Sequence, residues 1–336
     1  MMKHLRSAAC AMLGALALTL AVGQAVAAEF ALRLNHTLPA VSIRQTHAEL
    51  FRDTIARATN GRVEVQIFPA GQLYRNDQDT IKALRSGAVE GGMVTTGDLA
   101  LFEPAFNLYE APFLYASYAQ LDAVIDSPVG KAVFDKLERL GLKALAHTDA
   151  GSAALFTRPR PVKTVEDLKG MRFRASAGQI QIKAFDLLGV SSIQLPFPDV
   201  PPSLERGVID GLVSTPAAAS AAKLGEMTRN VVWTRHQLFP PVIVVNLAWW
   251  NRLPADVRDN IMKAMPRFTT AARTINLAAE REAFDVLKKQ GATVTELSPA
   301  AQLAFRKRLE PIYKELRDRI GADLYDGALK VIAATK

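Results

Sequence analysis

The residue types that make and break bonds are present in this 336-residue chain, but not at the spacings bond chemistry requires. No G-x-S-x-G elbow, G-x-G-x-x-G phosphate turn, P-loop or H-E-x-x-H pair occurs. His36, His47, His147 and His236 never fall at metal-ligand spacing, and the one cysteine, Cys10, sits near the start, so no metal site is expected. His147, Asp149 and Ser152 have the types of a nucleophilic triad. Three side chains so close along one strand end cannot readily aim at one another, and a triad is a matter of geometry. Neither catalysis nor a cofactor is expected.

Binding chemistry is better represented. In open α/β sheets a ligand sits beyond the carboxyl ends of the strands, so the residues that directly follow each strand are the candidates. In the first half these are His36, Thr95 and Thr96; in the second they are Arg174, Ser176, Ser214 and Thr215. Most are small hydrogen-bonding groups. Arg174 differs, because its planar fork of donors matches a carboxylate through two parallel bonds, which a lysine's point charge does not. Each candidate also has a plainer reading. An arginine commonly pairs with a local acid or faces water, and threonines or serines after strands bond the turn they sit in. Phe197, between Pro196 and Pro198, fills core by default and otherwise walls a pocket. Arg172 competes with Arg174; separated by a single residue, only one of the two is expected to face the ligand side of the strand.

The elements that must position these residues are readable from periodicity. Phe30, Leu32 and Leu34 alternate as a strand that breaks at 35–39, and Ala48, Phe51, Ile55 and Ala58 form a helical stripe closed by Asn60-Gly61. Val63, Val65 and Ile67 alternate again. Ile81 and Leu84 return to the helical period, and a short strand is expected over 92–95 after Gly87. The order recurs about 120 residues later from Met171, with a helix near 181–188 and a strand near 192–195. Leu84-Arg-Ser-Gly-Ala-Val-Glu-Gly-Gly-Met-Val-Thr95 and Leu204-Glu-Arg-Gly-Val-Ile-Asp-Gly-Leu-Val-Ser-Thr215 share a leucine, two glycines, an acid and a threonine in register. That match suggests two lobes on one plan. Residues 117–140 are expected as helix broken at Ser127-Pro128, and 142–147 and 242–245 as strands. From 255 to about 290 a long helix disturbed at Pro266 is expected, and 300–319 as a further helix. Parallel sheets flanked by helices in two lobes are the expected α/β architecture.

Lys3, Arg6, the uncharged apolar run from Ala8 to Val22 and Ala25-Val26-Ala27 read as an export signal over 1–27, cleaved after Ala27. The run is shorter than the roughly 20 residues of a membrane span. Cys10 opens that run instead of following it, so it is not a lipid-attachment site. Roughly 300 mature residues bury a core that needs no disulfide, and such a chain forms two lobes more often than one. Lys and Arg number 41 against 33 Asp and Glu. The two signs are interspersed, as in Arg52-Asp53, which describes a solvated surface with a mild bias toward anions and no nucleic-acid stripe.

Five segments in order, Pro69-Ala-Gly-Gln-Leu73, Pro112-Phe-Leu114, Asp167-Leu-Lys-Gly-Met-Arg-Phe-Arg174, Gly207-Val-Ile-Asp-Gly211 and Trp250-Asn-Arg-Leu-Pro254, carry a family likeness. Together the chain resembles the DctP-type solute-binding proteins of tripartite ATP-independent periplasmic (TRAP) transporters. The resemblance implies a two-lobe, type II-like periplasmic-binding-protein fold, with the ligand cleft between the lobes and a long helix spanning both. Lobe I is expected over 28–150 plus about 240–280, and lobe II over 151–239 plus about 281–336. The resemblance implies a periplasmic, monomeric receptor that binds a small organic acid and delivers it to integral membrane subunits powered by an ion gradient. In that family an arginine ending the L-K-G-x-x-x-R segment clamps the ligand carboxylate; the matching residue is Arg174. His36, Thr95, Phe197, Ser214 and Phe239 fall where cleft residues lie. Sialic-acid-binding members carry a second arginine where Ala153 stands and an asparagine where Ser214 stands, so a smaller or more apolar acid is expected here. Two rivals remain open. A neighbouring ATPase gene would indicate the binding protein of an ATP-driven importer, and turnover of a bound ligand would indicate a periplasmic enzyme.

Overall fold

The computed structural model describes residues 28–176 and 178–335; the expected export signal, with Cys10, lies outside them. Eleven strands are assigned among the described residues: β1 (Phe30–Asn35), β2 (Val63–Phe68), β3 (Gly91–Val94), β4 (Leu142–His147), β5 (Ser152–Thr157), β6 (Arg172–Ala175), β7 (Ser191–Gln194), β8 (Gly211–Ser214), β9 (Asn230–Leu238), β10 (Val242–Asn246) and β11 (Thr293–Glu296). They form two sheets, ordered β2-β1-β3-β10-β4 and β11-β9-β5-β8-β6-β7. The α/β architecture in two halves is as expected, but the sheets are mixed where parallel ones are predicted. β10 runs antiparallel to β3 and β4, and β5 runs antiparallel to β8 and β9. The reason is connectivity. Short links carry the chain between halves at β4 to β5 and at β9 to β10, and a strand arriving from the other sheet runs against strands that are fed by crossover helices.

Alternation along the central strands shows how each sheet is buried. In β10, Val242 and Val244 join one core with Leu84, Phe106 and Leu121, while Ile243 and Val245 join another with Phe51, Trp249 and Phe268. Side chains two apart share a face, so this β-branched strand is covered on both. β5 repeats the pattern: Ala153 and Leu155 enter one core of the second sheet, Ala154 and Phe156 the other.

The repeated segment builds one turn twice. Helix Asp77–Ser86 ends at Gly87, φ 77°, then β3, then Thr95, whose hydroxyl accepts from the Asp98 N–H at 3.2 Å. Helix Val200–Glu205 is followed by Gly207, φ 67°, then β8, then Thr215, whose hydroxyl accepts from the Ala218 N–H at 3.3 Å. The left-handed step after each helix favours glycine, and each threonine caps the next helix. Even the acids match in role. Glu90 holds Arg33 of β1 and Asp210 holds Arg172 of β6, each carboxylate accepting from that arginine's backbone N–H and its guanidinium.

Helix Ala255–Lys289 extends roughly 50 Å at 1.5 Å per residue and packs on both halves. Val257, Ile261, Phe268 and Ala272 lie in a core of the first sheet, Leu287 in one of the second. The helix passes through Pro266 without ending. The Met262 carbonyl, which loses its donor there, belongs to a residue that is 39% exposed, so water can serve it. The single helix expected over 300–319 is two, Pro299–Leu309 and Pro311–Ile320, parted at Pro311. Leu316 and Ile320 of the second, with Tyr325 and Ala328 of helix Ala322–Ala334, enter the core of Phe106 and Leu121. The end of the chain thus returns to the first half, whereas the sequence reading places all of 281–336 with the second. Helical periodicity identifies a buried face without naming the core that buries it.

Candidate functional site

Residues at the carboxyl ends of β1, β3, β6, β7 and β8, together with both links between the sheets, line one cavity of about 200 Å³. Thr95, Thr96, Arg174, Phe197, Ser214, Thr215 and Phe239 all line it, and so does Ser176. His36 does not. It is fully buried behind the wall with Nε2 2.9 Å from Gln45 Oε1, and burial lowers its pKa to about 4, so the ring is neutral. Thr37 and Leu38 take the lining position instead. β1 ends at Asn35, and which of the next residues turns inward depends on the path of the loop, which a strand-end rule does not resolve.

Arg174 reaches the cavity from the end of β6. Its Nε donates to the Leu195 carbonyl at 2.9 Å, and its guanidinium carbon lies 5.9 Å from the centroid of the Phe197 ring. No carboxylate forms an ion pair with it among the described residues, and its two terminal nitrogens donate to no protein acceptor there. Burial lowers its pKa while Asp98 and Asp77 oppose that shift, and a guanidinium so far above neutrality stays charged. Arg172 shares a face of β6 with Arg174, since residues two apart do. Alternation therefore does not separate them; position along the strand does. Arg172 lies at the far end, committed to Asp210.

Four charged lining residues escape the sequence reading. Arg44, in the first turn of helix Ile43–Ala58, is 6% exposed, with Nη1 3.8 Å from Asp77 Oδ2 and Nε without a partner among the described residues. Asp77 accepts from Thr37 Oγ1 at 3.1 Å and from the Thr95 N–H at 2.9 Å, which ties the ends of β1 and β3 together. Asp98 accepts from Thr95 Oγ1 at 2.6 Å, and burial next to Asp77 pushes its pKa up to about 6. Glu110 accepts from Thr96 Oγ1 at 2.5 Å and from Gln237 Nε2 at 2.8 Å, and burial raises its pKa to about 7. A signal for three of them exists: Arg44, Asp77 and Asp98 fall in the first turn of a helix, the region that faces a ligand just as strand ends do. Glu110 stands out as a lone acid within the apolar stretch 104–114.

The two halves meet closely around this cavity. Arg75 and Asp199, from opposite halves, pair at 2.5 Å, and a Cβ built on Gly178 would lie 3.5 Å from the Cα of Gly97 in the opposite half. Behind the cavity, the end of β4 and the start of β5 are fastened to the long helix. Glu280 Oε1 accepts from the Ser152 N–H at 2.7 Å and from Ser152 Oγ at 2.5 Å, and Arg273 lies 2.7 Å from His147 Nε2. His147 and Ser152 are thus engaged separately, with no hydrogen bond between them among the described residues, and make no triad.

Comparison with known proteins adds a consistent set of likenesses. Residues 34–319 match the family model for bacterial extracellular solute-binding protein, family 7 (DctP). The C4-dicarboxylate-binding periplasmic protein DctP of Rhodobacter capsulatus is 29% identical over 319 residues, covering 93% of this chain and 94% of that protein. The sugar-acid-binding protein DctPAm of Advenella mimigardefordensis, solved with galactonate, superposes with a TM-score of 0.87 at 25% identity, covering 91% of this chain and 98% of the other. A TRAP periplasmic solute-binding protein of Sulfurospirillum deleyianum, solved with succinate, gives 0.84 at 26% identity, covering 92% and 100%.

Proposed function

Because the chain belongs to family 7 of the bacterial extracellular solute-binding proteins, the receptors that bind small organic acids for the membrane subunits of TRAP transporters, we propose that Arg174 is its carboxylate clamp and that the two halves close over the acid as lobes. The carrying observation is the guanidinium of Arg174, held against Phe197 in the cavity with its terminal nitrogens free of acceptors among the described residues. Thr95, Thr96, Ser214, Thr215 and Phe239 supply the surrounding hydrogen bonds and apolar wall, and Arg44 joins them. Ligands that relatives are solved with, galactonate, D-erythronate and succinate, all carry a carboxylate.

Closure follows from differential affinity. The closed form contacts the acid from both lobes and the open form from one, so ligand shifts the population toward closure. A guanidinium withdrawn from water is destabilising alone, and the ligand carboxylate offsets that cost, which couples recognition to closure. The membrane subunits then read the closed shape. The relatives are solute-binding proteins, and this chain acts by binding without turnover. Proteins of the family are periplasmic, and cleavage after Ala27 delivers this one there, where it works as a monomer.

The test is a melting-shift screen of mono- and dicarboxylates, aromatic acids and sugar acids. An acid at a hundredfold excess over its Kd stabilises by about 2.7 kcal/mol. Arg174→Ala should abolish that shift while leaving the unliganded melting curve in place; an undiminished shift would remove the clamp.

A further inference from the structure

We infer that the acid this cleft selects carries one carboxylate and at least one hydroxyl, and that Asp98 receives the hydroxyl's hydrogen while Arg174 holds the carboxylate. The inference rests on the acid-receptor reading and narrows it to monocarboxylic hydroxy acids.

The charges that line the cavity are close to balance before any ligand enters. Arg44 and Arg174 are its only cationic lining residues among the described ones, and Asp77, Asp98 and Glu110 line the same space. Arg44 faces Asp77 at 3.8 Å, and Asp77 is further fixed by Thr37 and by the Thr95 N–H. That leaves Arg174 as the one cation without a paired carboxylate. A single ligand carboxylate can meet it. A second would have to share Arg44 with Asp77, which already faces it at 3.8 Å, and would be enclosed with Asp77, Asp98 and Glu110, where like charges repel strongly because little water screens them.

An acid with a purely apolar tail fails for the opposite reason. Asp98 is 7% exposed and lines the cavity. Oδ2 is engaged by Thr95 Oγ1 at 2.6 Å, while Oδ1 accepts no hydrogen bond among the described residues. An apolar tail would strip water from that oxygen and return nothing, the penalty of an unmet buried acceptor. A hydroxyl donates to it and leaves the charge balance unchanged. Glu110, joined to Thr96 and Gln237 on the floor, already has donors on both oxygens and does not compete for this role.

Calorimetric titration near neutral pH with butanoate, 2-, 3- and 4-hydroxybutanoate and succinate tests this at constant chain length. The best of the three hydroxy acids should bind about tenfold or more tighter than both butanoate and succinate, because a site built to bond a hydroxyl discriminates against ligands lacking it. Asp98→Asn should weaken that hydroxy acid and improve succinate, narrowing or reversing the gap. Succinate binding as tightly as every hydroxy acid would overturn the inference, as would an unaltered ranking in a D98N protein that melts normally. If D98N does not fold, the wild-type ranking still decides. Binding of none of these acids, nor of any acid in the wider screen, would remove the acid-receptor reading itself, a result distinct from succinate winning.

Discussion

Gln237 Nε2 donates to Glu110 Oε2 at 2.8 Å, a hydrogen bond that joins the segment ending at Glu110 in the first half to β9 in the second. Thr96 holds the other oxygen, and burial raises the Glu110 pKa from 4.5 to about 7. The folded chain therefore binds this proton more tightly than the unfolded one. The resulting stabilisation is full below about pH 4.5 and is lost as pH rises through 7, a change on the order of 3 kcal/mol. Asp98 and Asp149, both raised to about 6, act in the same direction. His36, His47 and His236, each lowered by burial to about 4, oppose it, so Glu110→Gln should shift the slope toward greater stability at neutral relative to acid pH. Urea unfolding at several pH values from 4.5 to 7.5 measures it, and a slope equal to wild type would contradict the assignment.

Arg75 and Asp199 join the two halves at 2.5 Å, with side chains 65% and 36% exposed. Exposed pairs contribute about 0.2 to 1 kcal/mol and are screened by salt. Asp199→Asn should therefore raise the ligand Kd about two- to fivefold at low ionic strength, and the difference should vanish in high salt. Titration at two salt concentrations separates this from a defect in the pocket, which salt would not erase.

Gly178 faces Gly97 across the lobes, and the φ of Gly178, −59°, suits any residue. A single methyl there meets Gly97 at 3.5 Å, an ordinary contact, so Gly178→Ala should bind nearly as wild type. Gly178→Leu is too large for the gap. It should weaken ligand binding by tenfold or more, on the order of 1.4 kcal/mol, while the unliganded unfolding midpoint stays near wild type. A leucine variant with normal affinity would show that this contact does not limit closure.

Glu280 receives three hydrogen bonds, two from Ser152 and one from Tyr118 at 3.1 Å, and Ser152 in turn accepts from Trp233 Nε1 at 2.7 Å. Removing its carboxylate strands donors at the start of β5 and on helix Tyr118–Asp126. Glu280→Ala should destabilise the fold by about 2 to 4 kcal/mol, read from urea unfolding; a loss below about 0.5 kcal/mol would mean that water replaces the carboxylate freely.

Much of this protein follows from local sequence. Alternation at Phe30, Leu32 and Leu34 and the apolar run at 242–245 identify strands because one or both faces must be buried, and the repeated Gly and Thr positions mark the turn that both halves build. Eight of the nine expected site residues line the cavity: six because strand ends in such sheets point to one edge, and Phe197 and Phe239 where the family resemblance puts cleft residues. Other features depend on what comes together in space. β5 and β9 carry no alternation that sets them apart, the chain from Leu316 on returns to the first core, and His36 turns away from the cavity by one residue. Arg172 and Arg174 are alike in type, face and near neighbours along the chain. Only the folded sheet places Asp210 beside the first and leaves the second facing an enclosed space, because charge pairing and desolvation act through distance, and distance between segments is not written in either segment.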